Sequence, residues 1–290
     1  MKQNKYSRII AGCMSWGNWG KQFSISEMEK QIHLTLAAGI TTFDHADIYG
    51  DYTTEIEFGK AFKQSGVLRE EIQLISKCGI QYVGDARTNK IKHYNYNKDY
   101  IIWSVEESLK KLQTEYLDLL LLHRPSPLME PDEINEAVLI LKNQGKIVDF
   151  GVSNFTPSQV SLISNKIPVF ANQFEFSLTQ HAAMHNGMLD QMLLQNSIPM
   201  SWSPLGSVFK EETAQTKRIQ KSLQNLTSVY NCTEDQILLA WILRHPAKIH
   251  PVIGTTNKER IINAQNALKI ELELEDWFEL LVASQGHKVP

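Results

Sequence analysis

Short apolar runs alternate with amphipathic stretches from one end of the chain to the other, which predicts an α/β protein built as a single (β/α)8 TIM barrel. Eight runs read as strands, at residues 8–14, 41–46, 72–77, 117–123, 148–154, 169–174, 199–204 and 250–254. Eight strands favour closure into a barrel over an open sheet. The segments between them carry helix-start chemistry, and the 290 residues show no linker, internal repeat or composition shift. One domain, 1–290, is the expectation.

Taken in order, the first helix is expected to start at a capping box of Ser26 with Glu29, in which hydroxyl and carboxylate satisfy free backbone N–H groups. Its apolar residues Met28, Ile32 and Leu36 share one face, and Gly39 ends it as a C′ glycine. The second strand lies in Ile-Thr-Thr-Phe-Asp-His-Ala-Asp-Ile-Tyr-Gly at 40–50, a β-branched and aromatic stretch that runs into a turn carrying Asp44 and Tyr49. The third ends Leu-Ile-Ser-Lys at Lys77, and the fourth ends Leu-Leu-Leu-Leu-His-Arg-Pro with His123. Thr156 with Pro157 and Gln159, Thr233 with Gln236, and Thr256 with Glu259 give three further capping boxes. Two connections are long, 15–25 and 78–98, the second rich in Tyr82, Arg87, Lys90, Lys92, His93, Tyr94 and Tyr96. Both follow strands, so both belong at the C-terminal mouth where barrels of this kind build their sites.

Composition narrows the function classes. Apolar residues at 42% and charged residues at 21% are those of an ordinary globular protein, and a net charge of −3 without a basic run argues against a nucleic-acid partner. Cys13, Cys78 and Cys232 are odd in number and lack C-x-x-C spacing, so neither a disulfide framework nor a zinc site is expected. The polar N-terminus and the lack of any apolar run near ~20 residues point to a cytoplasmic protein that is neither secreted nor membrane-embedded.

The polar residues at strand ends form a short list: Asp44, Tyr49, Lys77 and His123. Singly each has a bland explanation. A strand-end lysine usually snorkels, a lone histidine is usually structural, Asp44 could cap a turn, and Tyr49 could keep its hydroxyl in water. Gathered at one barrel mouth they read as a site.

Those residues, in that order, resemble the aldo-keto reductases. The pattern is an acid and a tyrosine five apart followed by glycine (Asp44, Tyr49, Gly50), a lysine ending strand three (Lys77), and a histidine ending strand four before a proline (His123 in His-Arg-Pro). Gly-Lys-Ile-Val-Asp-Phe-Gly-Val-Ser-Asn-Phe at 145–155, Asn172-Gln173, Trp-Ser-Pro-Leu-Gly at 202–206 and Gly-Thr-Thr-Asn-Lys-Glu-Arg at 254–260 extend the match over nearly the whole chain. The resemblance implies an NADPH-dependent reduction of aldehydes or ketones to alcohols, with Tyr49 as general acid. A phenol is a poor acid at neutral pH, but a neighbouring ammonium favours its ionised form, so Lys77 is expected to ease proton release while Asp44 keeps Lys77 charged. His123 would orient the substrate carbonyl.

The same resemblance implies a cofactor site without the Gly-x-Gly-x-x-Gly fingerprint, which the sequence lacks. Gly12, Ser153, Asn154, Gln173, Trp202, Ser203, Leu205, Gly206, Gly254, Thr255, Thr256, Asn257 and Arg260 are its expected residues. Ser153, Asn154 and Gln173 would hydrogen-bond the carboxamide, Trp202 would stack on the nicotinamide where many members have tyrosine, and Ser203, Leu205 and Gly206 would border the pyrophosphate. A helix capped by Thr256 and beginning at Asn257, with Arg260 in its first turn, would take the far phosphate and favour NADPH over NADH. Asn263 and Ala264 stand where the family often has Glu-Asn towards the adenine.

Two other classes bear comparison. A cofactor-binding regulatory or sensor subunit on the same barrel would turn over little, and its marks would be a long N-terminal arm or a broken tetrad; here seven residues precede the first expected strand and the tetrad is complete. A barrel hydrolase using His45 and Asp47 would need a third metal ligand, and strand alternation turns His45 away from the Asp44 face. No metal is therefore expected. The expected partner is a small-molecule carbonyl substrate, with no nucleic acid and no membrane, on a monomer or weak oligomer. Trp16, Trp19, Tyr82, Tyr94 and Tyr96 suggest an aromatic mouth.

Overall fold

The computed structural model describes residues 5–290. All eight expected strands form, with ends shifted by no more than about two residues: β1 (Ile10–Gly12), β2 (Thr42–Asp44), β3 (Gln73–Cys78), β4 (Leu117–Leu122), β5 (Ile147–Ser153), β6 (Ala171–Glu175), β7 (Ile198–Trp202) and β8 (His250–Ile253). They make a closed parallel barrel in which sequence neighbours pair. The helices that accompany them include α1 (Ile25–Ala37), α2 (Thr54–Ser65), α3 (Lys98–Leu112), α4 (Pro131–Asn143), α5 (Pro157–Ile163), α6 (Met188–Gln195), α7 (Ala214–Tyr230), α8 (Glu234–Leu243), α9 (Lys258–Asn266) and α10 (Leu274–Gln285). Among the described residues no helix is long and apolar enough to cross a membrane.

The chain divides into two compact units, Met1–Gln173 and Phe174–Pro290. In the first, the register is what builds a site. Gly12 pairs with Asp44, Asp44 with Ile75, Lys77 with Leu121, Leu122 with Val152 and Ser153 with Gln173, so the polar strand ends come out at neighbouring levels. Backbone bonds continue the ladder past the strands: His45 N–H reaches the Ile75 carbonyl, Asp47 N–H the Lys77 carbonyl and His123 N–H the Cys78 carbonyl. Every residue of β4 is buried, as an apolar run flanked by helices requires. The core behind β2 is aromatic, with Trp16, Phe43 and Phe58 in mutual ring contact at 5.4–6.1 Å.

Lys5 and Tyr6 lie at the N-terminal ends of β4 and β5. Tyr6 donates its hydroxyl to the Asp118 carbonyl (2.8 Å) and to Asp149 Oδ2 (3.0 Å), while Lys5 bridges the same two acids and Arg69 holds Asp118 at 2.7 Å. In the second unit, a stack of Phe176, Trp241 and Trp277 (5.6 and 5.1 Å between centroids) anchors α8 and α10, and each tryptophan indole N–H donates to the other's carbonyl.

Two of the four expected capping boxes are as read, at Thr156 with Gln159 and Thr233 with Gln236. The other two are displaced. The first helix is capped two residues earlier, by Ser24 with Glu27, a second Ser-x-x-Glu that overlaps Ser26-x-x-Glu29 in sequence. At α9 the cap is Asn257, whose side chain accepts the Arg260 N–H at 3.1 Å, and the helix starts at Lys258; Thr255 Oγ1 instead accepts the Asn257 N–H. Asparagine caps as well as threonine does. Gly39, at φ 84°, is the C′ residue of α1 as expected.

Candidate active site

Asp44, Tyr49, Lys77 and His123 meet at the C-terminal end of β2, β3 and β4, and all four are buried. Lys77 is the hub. Its Nζ donates to Asp44 Oδ2 (2.8 Å), the His45 carbonyl (2.8 Å) and the Tyr49 hydroxyl oxygen (3.0 Å), which uses all three ammonium donors. Asp44 is satisfied on both oxygens, since Oδ1 accepts from the Gln173 side-chain amide at 2.9 Å. Burial pulls the Lys77 pKa down, but Asp44, Tyr49 and their hydrogen bonds outweigh it and hold the ammonium above its ordinary value.

Because an ammonium has no lone pair, the Tyr49 oxygen is the acceptor in its bond with Lys77, and the phenol keeps its own proton for a partner at the mouth. The net shift of that phenol differs from expectation. Lys77 does pull its pKa down, but burial is the larger influence and Asp44 adds to it, so Tyr49 lies above the ordinary phenol value. Its proton is firmly held at neutral pH, and Lys77 limits the rise. His123 is driven well below the usual imidazole value by burial and by Lys77, Arg124 and Lys92, which makes it a neutral ring; its Nδ1 is buried without a hydrogen-bond partner. The Tyr49 and His123 rings lie edge to face at 6.0 Å.

The backbone at Tyr49 is unusual. Gly50, Asp51 and Tyr52 have φ of 62°, 55° and 67°, three left-handed residues in a row. Gly50 fits only as glycine, since a Cβ would fall 2.4 Å from Thr54 Oγ1. Of the expected aromatic mouth, Trp19 lies 6.1 Å from the Tyr49 ring and 5.2 Å from Tyr82. Trp16 and Tyr96 are buried structural rings instead: Tyr96 shields Gly79 and bonds the Arg124 backbone. Tyr94 belongs to a small antiparallel pair, Ile80–Gln81 with His93–Tyr94, within the connection expected to be loop throughout.

The expected cofactor residues fall in two groups. In the first unit, Gly12 ends β1, Ser153 ends β5 fully buried, and Asn154 follows in a left-handed conformation (φ 62°) with Nδ2 on Ser153 Oγ at 2.7 Å. Gln173 has its N–H committed to Asp44, a link the sequence did not suggest. In the second unit, Trp202 ends β7 half-buried, and Ser203, Leu205 and Gly206 form a tight turn closed by the Gly206 N–H on the Ser203 carbonyl (2.8 Å). Gly254 is exposed, with nothing within 4 Å of where a Cβ would stand; Thr255 and Thr256 lead to the α9 start, where exposed Arg260 makes no ion pair among the described residues. An open, glycine-lined helix start with an unpaired guanidinium suits a phosphate-bearing ligand, and the amide and hydroxyl ends of β5 and β6 suit a carboxamide.

His45 and Asp47 lie on the other side of β2. His45 is fully buried against Phe58 (4.3 Å between centroids), with neither ring nitrogen hydrogen-bonded, and burial followed by the Lys77 charge lowers its pKa to about 3. Asp47 accepts from Ser104 (3.2 Å), and burial and the Glu55 charge raise it to about 7. Glu55 is buried under Ser76 and Ser108 and is missed by the sequence reasoning; Ser104 and Ser108, one turn apart on the buried face of α3, bond Asp47 and Glu55 respectively and are the sequence trace of this acid pair. Among the described residues no group of three His, Cys, Asp or Glu could hold a metal ion.

Comparison with known proteins decides the family. The profile of the Aldo/keto reductase family matches residues 8–281. The chain belongs to this family. It is 40% identical to the uncharacterized oxidoreductase YcsN of Bacillus subtilis (strain 168), over 99% of this chain and 97% of the relative. It is 38% identical to a 6-dehydroglucose reductase of Agrobacterium fabrum, over 98% and 96%. Among solved structures, an aldo/keto reductase from Klebsiella pneumoniae in complex with NADP and acetate shares the fold at TM-score 0.79 and 24% identity, covering 98% of this chain and 93% of that one.

Proposed function

We propose that this member of the aldo/keto reductase family reduces aldehyde or ketone carbonyls to alcohols with NADPH as reductant. NADPH, when bound, supplies the hydride. Tyr49 holds the proton that completes the alcohol, and the observation that carries the reading is its oxygen accepting from Lys77 while its own O–H stays available at the mouth. Lys77, held charged by Asp44, stabilises the phenolate left behind. His123, neutral and beside Tyr49, donates an N–H to the carbonyl oxygen and orients it. Ser153, Asn154 and the Gln173 carbonyl bind the carboxamide, Trp202 stacks on the ring, Gly12 and the Ser203–Leu205–Gly206 turn flank the cofactor, and Gly254, Thr255, Thr256, Asn257 and Arg260 take its phosphate end. The NADP complex of the Klebsiella neighbour supports this cofactor. The 6-dehydroglucose reductase name of one relative places sugar-derived aldehydes among the substrates to try.

The test is NADPH oxidation over a panel of aliphatic, aromatic and sugar-derived carbonyls, with wild type and Tyr49→Phe. The variant is expected to lose about 10²–10⁴-fold in kcat, the usual contribution of a positioned acid, while binding NADPH as tightly as wild type. Unchanged turnover in Tyr49→Phe sinks the assignment of the proton donor. A wild type that binds NADPH yet reduces nothing on the panel favours the sensor reading.

A further inference from the structure

The β3–α3 connection, residues 79–97, carries a cation that the tetrad does not use. Arg87 is half-buried in an aromatic cage: its guanidinium carbon lies 3.9 Å from the Tyr52 ring centre, 5.0 Å from Trp103 and 5.8 Å from Tyr100. Its Nη1 donates to Gln81 Oε1 (3.1 Å) and to the Tyr100 hydroxyl (2.9 Å). Planar guanidinium is suited to such faces and keeps its charge there.

Tyr52 links this cage to the mouth. Its ring faces Arg87, and its hydroxyl accepts the Tyr82 N–H at 2.9 Å. The Tyr82 carbonyl in turn accepts from Asn89 Nδ2 (2.9 Å), and the Asp85 N–H lies on Asp51 Oδ2 (2.9 Å). Gly84 approaches so closely that a Cβ would stand 2.2 Å from the Asp51 carboxylate. The connection is thus laid directly on the left-handed residues Asp51 and Tyr52 that follow Tyr49. Near its start Tyr82 packs on Trp19, and Trp19 on Tyr49.

We propose that Arg87 is a positioning residue for substrate selection: by docking on Tyr52, Tyr100 and Trp103 it seats Tyr82 against Trp19, and so fixes the aromatic wall that a carbonyl substrate meets beside the Tyr49 hydroxyl. The wall favours carbonyls carrying a ring, aromatic or sugar-like, over short aliphatic ones. This rests on the reductase reading above.

The experiment has two arms, with Arg87→Met, Arg87→Lys and the milder Tyr100→Phe. In the kinetic arm, KM for benzaldehyde in Arg87→Met is expected to rise about tenfold, the loss of one good contact, with kcat/KM for propanal and NADPH affinity unchanged. Arg87→Lys, which keeps the charge over Tyr52 without the fork, restores part of the difference. In the second arm, amide hydrogen exchange at Tyr82 and Asp85 is expected to speed up in Arg87→Met. Tyr100→Phe moves both readouts in the same direction by less, and carries the comparison should Arg87→Met fail to fold. Equal changes for both substrates, or none, overturn the selection role; unchanged exchange overturns the clamp. A wild type that reduces no carbonyl defeats the reductase reading and the selection role with it, whereas the exchange arm reads the clamp independently.

Discussion

Asp44 and Asp47 are three residues apart in the chain and equally buried, each 2% exposed, yet they are kept in different ways. Asp44 has a cation and an amide on its two oxygens. Asp47 has a serine at 3.2 Å and a tyrosine at 3.5 Å on one oxygen and no partner on the other. A buried carboxylate needs a buried countercharge to stay ionised without penalty. Asp44 has one within hydrogen-bond reach; Asp47 feels Arg87 and Lys111 only at a distance, and Glu55 works against it. The contrast separates a site from its structural surroundings more sharply than burial or residue type does.

The largest expected effect comes from removing the countercharge. Lys77→Met leaves Asp44 buried with only Gln173 for a partner, and breaking a buried pair in this way costs about 3–5 kcal/mol. On the proposed mechanism turnover should fall by about 10²–10⁴-fold as well, because a Tyr49 phenolate would lose its stabilising cation. Denaturant unfolding checks the first effect and NADPH oxidation the second. The double variant Asp44→Asn, Lys77→Met sharpens the point: stability should partly return while activity does not. Equal stability in the single and double variants would show that the pair is not coupled.

How much of this was legible in the sequence follows from the same contrast. The eight strands were legible because buried parallel strands leave apolar runs, and Lys77 and His123 stood out as charged or polar residues ending such runs. The cap of α1 was misplaced because two Ser-x-x-Glu patterns overlap there and only the packed face of the helix chooses between them. The partnership of Gln173 with Asp44 spans 129 positions, and no local pattern encodes it. Nor did the sign of the Tyr49 shift emerge, since it depends on weighing burial against one nearby charge, a matter of depth. Arg87 reads as one of several basic residues in a long loop; its cage is assembled from Tyr52, which follows β2, and from Tyr100 and Trp103 on α3, so no local pattern shows it.

Asp47 gives the next effect in size. Its folded pKa of about 7 lies above its ordinary 3.8, so between those values the folded state binds a proton that the unfolded chain has lost. Stability from this group is therefore full below about pH 4, declines as pH rises to about 7 and stays low above it. Asp47→Asn mimics the protonated form. It should be more stable than wild type at pH 8, by on the order of 2–4 kcal/mol, with the advantage gone near pH 4. Glu55 is shifted in the same direction by burial and keeps part of the pH dependence in the variant. Parallel urea curves for wild type and variant at both pH values would show that Asp47 is not the strained acid.

His45 supplies the smallest effect and the opposite slope. Its folded pKa, near 3, lies below the ordinary 6.5, so the unfolded state takes up the proton first, and stability drains as pH falls from about 6.5 towards 3. At neutral pH the ring is uncharged, and its cost is two buried nitrogens without partners. His45→Leu fills similar space beside Phe58 without either nitrogen. At pH 7 the variant should differ from wild type by no more than about 1 kcal/mol, and the gap should widen in its favour at pH 5. Because His45 faces Phe58 while only its carbonyl touches Lys77, turnover at pH 7 should stay near that of wild type. A large loss of turnover instead would mean that the imidazole side chain, and not the backbone alone, helps hold Lys77 against Tyr49.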